Sequence, residues 1–156
     1  MTPLDSANVV LRPAADADEP FLYRVFQTTR ERELEMLAPG HREIFARHQY
    51  QAQHTHYHAY FPAARHDIIL WRSEPIGRLW VDRQPDHILI LDIAIVPEAR
   101  SNGIGTVLLD ELIREASRER KVLRIHVEQF NPALRLYQRL GFYTKETNGV
   151  YFLMER

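Results

Sequence analysis

His87-Ile88-Leu89-Ile90-Leu91-Asp92-Ile93-Ala94-Ile95-Val96, continued by Pro97-Glu98-Ala99-Arg100-Ser101-Asn102-Gly103-Ile104-Gly105, is the stretch whose reading decides the fold class. Its first part is nearly unbroken apolar sequence, the pattern of a strand covered on both faces. A glycine-containing loop follows. Ile104, Leu108, Leu112 and Ala116, with Val107, then mark one face of a helix reaching Arg120. Val122 to Val127 reads as a strand again. A strand, a helix and a second strand in this order make a crossover connection, so the fold is mixed α/β.

Working back toward the N-terminus, Asn8 to Arg12 is a short β-branched run closed by Pro13. Asp16 and Glu19 form a helix-start signature, with Pro20 tolerated in the first turn and Phe21, Leu22, Val25 and Phe26 at helical spacing. Pro39-Gly40 interrupts the chain, and a second helix is expected from about His41 to Tyr60, stopped by Pro62. Strands are expected from Asp67 to Trp71 and from Ile76 to Val81, with turns at Ser73-Glu74-Pro75 and Gln84-Pro85-Asp86. Short turns make these strands and the apolar one an antiparallel meander. Beyond the crossover, Asn131-Pro132 through Leu140-Gly141 predicts a capped short helix. Phe142 to Lys145 and Val150 to Met154 predict a closing hairpin around Asn148-Gly149. The order is βααβββαβαββ, read as one domain over residues 1–156.

Composition narrows the function. The chain has 156 residues, 20 Lys+Arg against 21 Asp+Glu, a formal net charge of -1 and no Cys. Without Cys there are no disulfides, thiolate metal sites or Cys-based covalent mechanisms. The near-neutral charge argues against a nucleic-acid binder. No apolar run has the length of a bilayer-spanning helix, and Met1-Thr2-Pro3-Leu4-Asp5-Ser6 lacks the zones of a signal peptide, so a cytoplasmic protein without membrane partners is expected. His54, His56 and His58 suggest a metal tract, but no acidic ligand stands at a suitable spacing, and no metal is expected.

The loop from Val96 to Gly105 carries the first chemical signal. A strand running through a glycine loop into a helix start presents free N–H donors and the positive end of the helix dipole, which suit a phosphate or pyrophosphate. Gly103 and Gly105 remove the Cβ atoms that would keep an anion off the backbone, and Arg100 adds a cation. The alternative is a turn that merely starts a helix. The P-loop and dinucleotide patterns do not fit: Gly105 is followed by Thr106-Val107, and a third glycine is missing.

Arg100-Ser101-Asn102-Gly103-Ile104-Gly105, then Asn131-Pro132-Ala133 and Leu136-Tyr137-Gln138-Arg139-Leu140-Gly141-Phe142, closely resembles the GNAT superfamily of acyl-CoA-dependent N-acyltransferases over residues 87–142. Asn131 stands six residues before Tyr137, where many members have seven. The resemblance implies antiparallel N-terminal strands and a splayed central parallel pair. It implies that acetyl-CoA is the acyl donor and that the backbone from Arg100 through Ser101, Asn102, Gly103, Ile104 and Gly105 to Thr106 holds its pyrophosphate. Ile93-Ala94-Ile95 and Val127-Glu128 would flank the pantetheine arm, with a backbone N–H near Ile95 for the oxyanion. Asn131, Ala133 and Leu136 would complete the cofactor site.

The same resemblance places the Tyr137 phenol beside the sulfur as the acid for the departing thiolate; otherwise Tyr137 is a core aromatic. The acceptor amine must lose a proton, and Asp92, His126 and Glu128 are the candidate bases. Asp92 interrupts an apolar strand, so it is either that base or the partner of His126 or an Arg in a structural ion pair. His126 and Glu128 share a strand face. The first two helices of the family wall the acceptor site, which makes Arg30, Glu33 and Tyr57 candidate substrate contacts, against a plain solvated face. The implied activity is direct acetyl transfer to a primary amine of a small molecule or peptide in a ternary complex. The alternative is a CoA-binding sensor that does not catalyse. A homodimer stays open.

Overall fold

The computed structural model describes residues 8–156; Met1–Ser6, read above, lies outside them. Twelve elements follow in chain order: β1 (Val9–Pro13), α1 (Glu19–Thr28), α2 (Glu31–Glu35), α3 (Pro39–Tyr60), β2 (Arg65–Trp71), β3 (Glu74–Arg83), β4 (His87–Ile95), α4 (Ile104–Glu119), β5 (Val122–Glu128), α5 (Leu134–Arg139), β6 (Tyr143–Asn148) and β7 (Tyr151–Glu155). The strands form one seven-stranded sheet in the order β1-β2-β3-β4-β5-β7-β6. Among the described residues only β4 and β5 run parallel, joined by α4.

The expected order stands, with one short helix added. α2 carries Leu34 as its only inward apolar residue, too little to give a periodic signal. Pro39-Gly40, read as an interruption, instead opens α3: Ala38 is extended, and proline fits a first turn whose N–H groups lack partners. The β2–β3 turn falls on Arg72 and Ser73, both at positive φ, so Glu74 and Pro75 already belong to the strand. Asn148 pairs with Tyr151, which moves the closing turn one residue on, to Gly149-Val150. The last short helix starts only at Leu134, after Asn131 Oδ1 has accepted the Ala133 N–H at 2.8 Å.

Two features of β4 shape the rest. Its pairing with β5 runs from His87↔Val122 to Ile90↔Ile125 and stops; beyond it, β5 pairs only with β7. The two central strands therefore splay apart. Against β3, Trp80 faces Asp92 but Val81 faces Ile90, so Leu91 is an extra residue, a β-bulge that bends the strand. The bend starts where the splay starts.

One core cluster joins Ile69, Leu79, Val81, Ile88, Ile90, Leu123 and Ile125 of the sheet to Leu108, Leu109 and Leu112 of α4. A second joins Leu22, Tyr23 and Phe26 of α1 and Tyr50 of α3 to Ile68. Gly77 is needed where β3 meets the end of β4: a Cβ there would stand 2.2 Å from the Ala94 carbonyl oxygen.

Candidate active site

The loop after β4 makes a 3-10 turn at Pro97–Ala99, extends at Arg100 and enters left-handed backbone at Ser101 and Gly103. Its path leaves the N–H groups from Ser101 to Thr106 without a backbone acceptor among the described residues; Val107 is the first to bond, to the Gly103 carbonyl at 3.1 Å. Unpaired donors in series at the start of a sixteen-residue helix form an anion cradle. Arg100 Nε donates to the Ile95 carbonyl at 2.8 Å, and Asn102 Nδ2 to the Ala99 carbonyl at 3.0 Å, so both side chains brace the loop. Ile104 is buried in the core and offers the loop only its backbone; Thr106 is exposed in the first turn of α4.

At Gly105 a Cβ would meet Leu136 Cδ2 at 3.7 Å and Ile95 Cδ1 at 3.9 Å. Three segments expected to hold one ligand thus converge: the end of β4, the start of α4 and α5. Ile93, Ala94 and Ile95 lie on the part of β4 that has left β5. Asn131 caps the turn into α5, and Ala133 and Leu136 are half-buried against the core.

Tyr137 is 4% exposed and meets Phe142 edge-on at 5.8 Å. Burial pushes its phenol well above the usual tyrosine range, and the charge of Asp92 adds to the effect. Tyr137 is therefore a protonated phenol near a carboxylate, at the end of the splay.

The three candidate bases sit in different surroundings. Asp92, 21% exposed, accepts from Arg78 Nε at 2.5 Å. Its partner is thus an arginine and not His126. Glu128 lies 3.5 Å from Arg30, which is 3.7 Å from Glu33, so the residues named for the acceptor wall and for base work meet in one chain of charges from α2 to β5. His126 is exposed on β5.

The Tyr57 hydroxyl donates to the Leu91 carbonyl at 3.0 Å. Burial, then the Asp92 charge, push its phenol up to about 12. His54 and His66 pack around Trp80, with His66 stacked on it at 4.0 Å. Burial and the Arg78 charge hold these two imidazoles neutral. Among the described residues no group of three or more His, Cys, Asp or Glu is arranged to hold a metal, and no helix is long and apolar enough to cross a membrane.

Sequence reasoning missed Arg78 and Gln53, whose Oε1 accepts from Arg78 Nη2 at 2.6 Å. The signal for Arg78 was present: in the expected strand from Ile76 to Val81 it is the one charged residue, as Asp92 is in its own apolar run.

The model of the acetyltransferase (GNAT) family matches residues 23–142. No curated protein matches the chain by sequence. Among solved structures, the fold is similar to that of the PaiA N-acetyltransferase of Thermoplasma acidophilum in complex with coenzyme A, with TM-score 0.72, 18% identity, and 95% of this chain and 98% of that chain covered. It is also similar to a GNAT family acetyltransferase of Elizabethkingia anophelis with acetyl-CoA bound (TM-score 0.61, 19% identity, 95% and 97% covered). A third is Naa50 of Arabidopsis thaliana in complex with the bisubstrate analogue CoA-Ac-MVNAL (TM-score 0.66, 15% identity, 96% and 98% covered).

Proposed function

The chain belongs to the acetyltransferase (GNAT) family, and from that premise we propose that it is an acetyl-CoA-dependent N-acetyltransferase acting on a primary amine of a small molecule or peptide. The observation that carries this reading is the run of unpaired N–H groups from Ser101 to Thr106 at the mouth of the β4–β5 splay. A pyrophosphate satisfies such donors, and the splay leaves strand edges for an amide-bearing arm. Gly105 also keeps a side chain out of the space between Leu136 and Ile95.

Acetyl-CoA, when bound, supplies the thioester carbonyl that the amine attacks. The residues of this chain then orient and move protons. Ile93, Ala94 and Ile95 line one side of the arm, with Leu136 across from Ile95. Tyr137 keeps its proton through neutral pH and donates it to the departing sulfur, which makes thiolate release easier. Asp92, Glu128 or His126 takes the proton of the amine, directly or through water. Arg30 and Glu33 stand at the acceptor side with Glu128. Without Cys, no thiol carries the acyl group, and transfer is direct.

The test joins a calorimetric titration with CoA to a screen of amines, aminoglycosides, amino acids and peptides read by thiol release. CoA binding with turnover of at least one amine is expected. CoA binding with no turnover on the whole panel would support a sensor, and no CoA binding would overturn the reading.

A further inference from the structure

Arg78 is 1% exposed in the middle of β3. Taking a guanidinium out of water is costly, and an apolar side chain would fill the same volume without that cost. What the charge does instead is grip. Nε donates to Asp92 Oδ2 at 2.5 Å and Nη2 to Gln53 Oε1 at 2.6 Å. Gln53 lies one turn before Tyr57 on α3, and Tyr57 holds the carbonyl of Leu91, the bulged residue next to Asp92. Both β4 residues at the break are therefore held from one helix. Asp92 keeps one side open, where β4 has left β5.

Resting on the acetyltransferase reading, we infer that Arg78 is a positioning residue: anchored by Gln53, it fixes Oδ2 of Asp92 so that the other carboxylate oxygen meets the acceptor amine. The rigid, planar guanidinium holds Gln53 on one nitrogen and Asp92 on another, so anchoring one end fixes the donor at the other, which a freely rotating lysine ammonium would not do. The groups around Asp92 are Arg78 from β3, Gln53 and Tyr57 from α3, and Tyr137 from α5. Neither alternative base is gripped by a buried cation: His126 is exposed, and Glu128 stands in the longer pair with half-buried Arg30 and beside Tyr151.

The experiment compares wild type, Arg78→Met, Gln53→Leu, Asp92→Asn and the double variant Arg78→Met/Asp92→Asn, using acetyl-CoA and the panel amine that wild type acetylates fastest. Arg78→Met is expected to lower kcat by about 10²-fold, the effect of misplacing a catalytic group by about an ångström, with KM for acetyl-CoA unchanged. The double variant should be no slower than Asp92→Asn alone. The acid limb of kcat/KM should vanish in Asp92→Asn and in the double variant alike. Gln53→Leu keeps the charge and should show a smaller loss in the same direction; where Arg78→Met fails to fold, this variant decides alone. Losses that multiply, an acid limb that survives in the double variant, or a loss carried by KM for acetyl-CoA would overturn the assignment. An inactive wild type would overturn the functional reading and this one with it.

Discussion

The hydroxyl of Tyr57 donates to the carbonyl of Leu91 at 3.0 Å, and Leu91 is the β4 residue skipped in the register with β3. A bulge leaves its extra residue outside the ladder, and a shielded carbonyl needs a donor from elsewhere. α3 supplies it. The long second helix thus secures the bend through which β4 leaves β5, and with it the gap that gives the site its shape.

Tyr57→Phe removes that donor while keeping the ring against Trp80, 4.9 Å away. Stability should fall by about 1 kcal/mol in urea unfolding, the usual net worth of one such hydrogen bond. KM for acetyl-CoA should rise together with the loss. An unchanged unfolding midpoint would mean that the Leu91 carbonyl is satisfied without Tyr57.

The cradle allows a cleaner separation of binding from folding. Gly105 lies in the first turn of α4, where an added Cβ makes ordinary contacts with Leu136 and Ile95. Gly105→Ala should therefore stabilise the chain by about 0.5–1 kcal/mol through helix propensity, yet weaken CoA binding by placing a methyl where Leu136 and Ile95 come together beside the loop. Gly103 sits at φ 77. A β-branched residue is strained there by about 1–2 kcal/mol, so Gly103→Val should lower CoA affinity at least tenfold, equivalent to about 1.4 kcal/mol. Calorimetry of both variants checks this; unchanged affinity in Gly103→Val would remove the loop from the binding site.

Stability should also depend on pH through two histidines. Burial first, then the charge of Arg78, lowers His54 from 6.5 to about 4 and His66 from 6.5 to about 3. Between those values and 6.5 the unfolded chain binds protons that the folded chain refuses. Stability is then complete above the unfolded value and falls as the pH drops toward the folded values. The Arg12–Asp18 pair, with Asp18 held to about 2, contributes its loss only at lower pH. Melting temperature should decline steadily from pH 6.5 to 4, and His54→Leu/His66→Phe should flatten that slope. The same slope in the double variant would place the acid sensitivity elsewhere.

The fold was legible where periodicity and turn chemistry act locally. The crossover, the meander and the closing hairpin all follow from residue spacing, and errors fell at boundaries such as Pro39-Gly40, where a helix-starting proline resembles a break. The splay and the bulge were not legible from spacing, because Leu91 differs in no way from its apolar neighbours; its role comes from a register set by β3 and a donor on α3. The loop could be read because glycine spacing reports backbone geometry directly. The partner of Asp92 could not, since a contact between strands depends on register rather than on sequence distance. Arg78 and Asp92 were nevertheless marked by one rule, a charge inside an apolar strand.

The proton of the acceptor amine gives the next expectation. Asp92 is the candidate whose charge reaches Tyr137, so it stands near the reacting centre. Asp92→Asn should flatten the rising acid limb of kcat/KM and cost about 10²- to 10⁴-fold in activity, while His126→Gln and Glu128→Gln keep the wild-type limb. A limb retained in all three variants would mean that the amine binds already deprotonated.

Tyr137 offers the last and sharpest test. Its phenol is pushed above the ordinary tyrosine range by burial and by Asp92, so it stays protonated through alkaline pH and cannot produce an alkaline limb near neutrality. Tyr137→Phe keeps the ring against Phe142, so folding and CoA affinity should survive. Loss of the acid should lower kcat by about 10²- to 10⁴-fold. A thioester with a better leaving group depends less on that proton, so the variant should recover part of its rate with such a donor. Near-wild-type kcat would reduce Tyr137 to a packing residue. Parallel-line kinetics with an acetylated chain seen by mass spectrometry would replace direct transfer by two steps, and the absence of Cys would then require a different nucleophile.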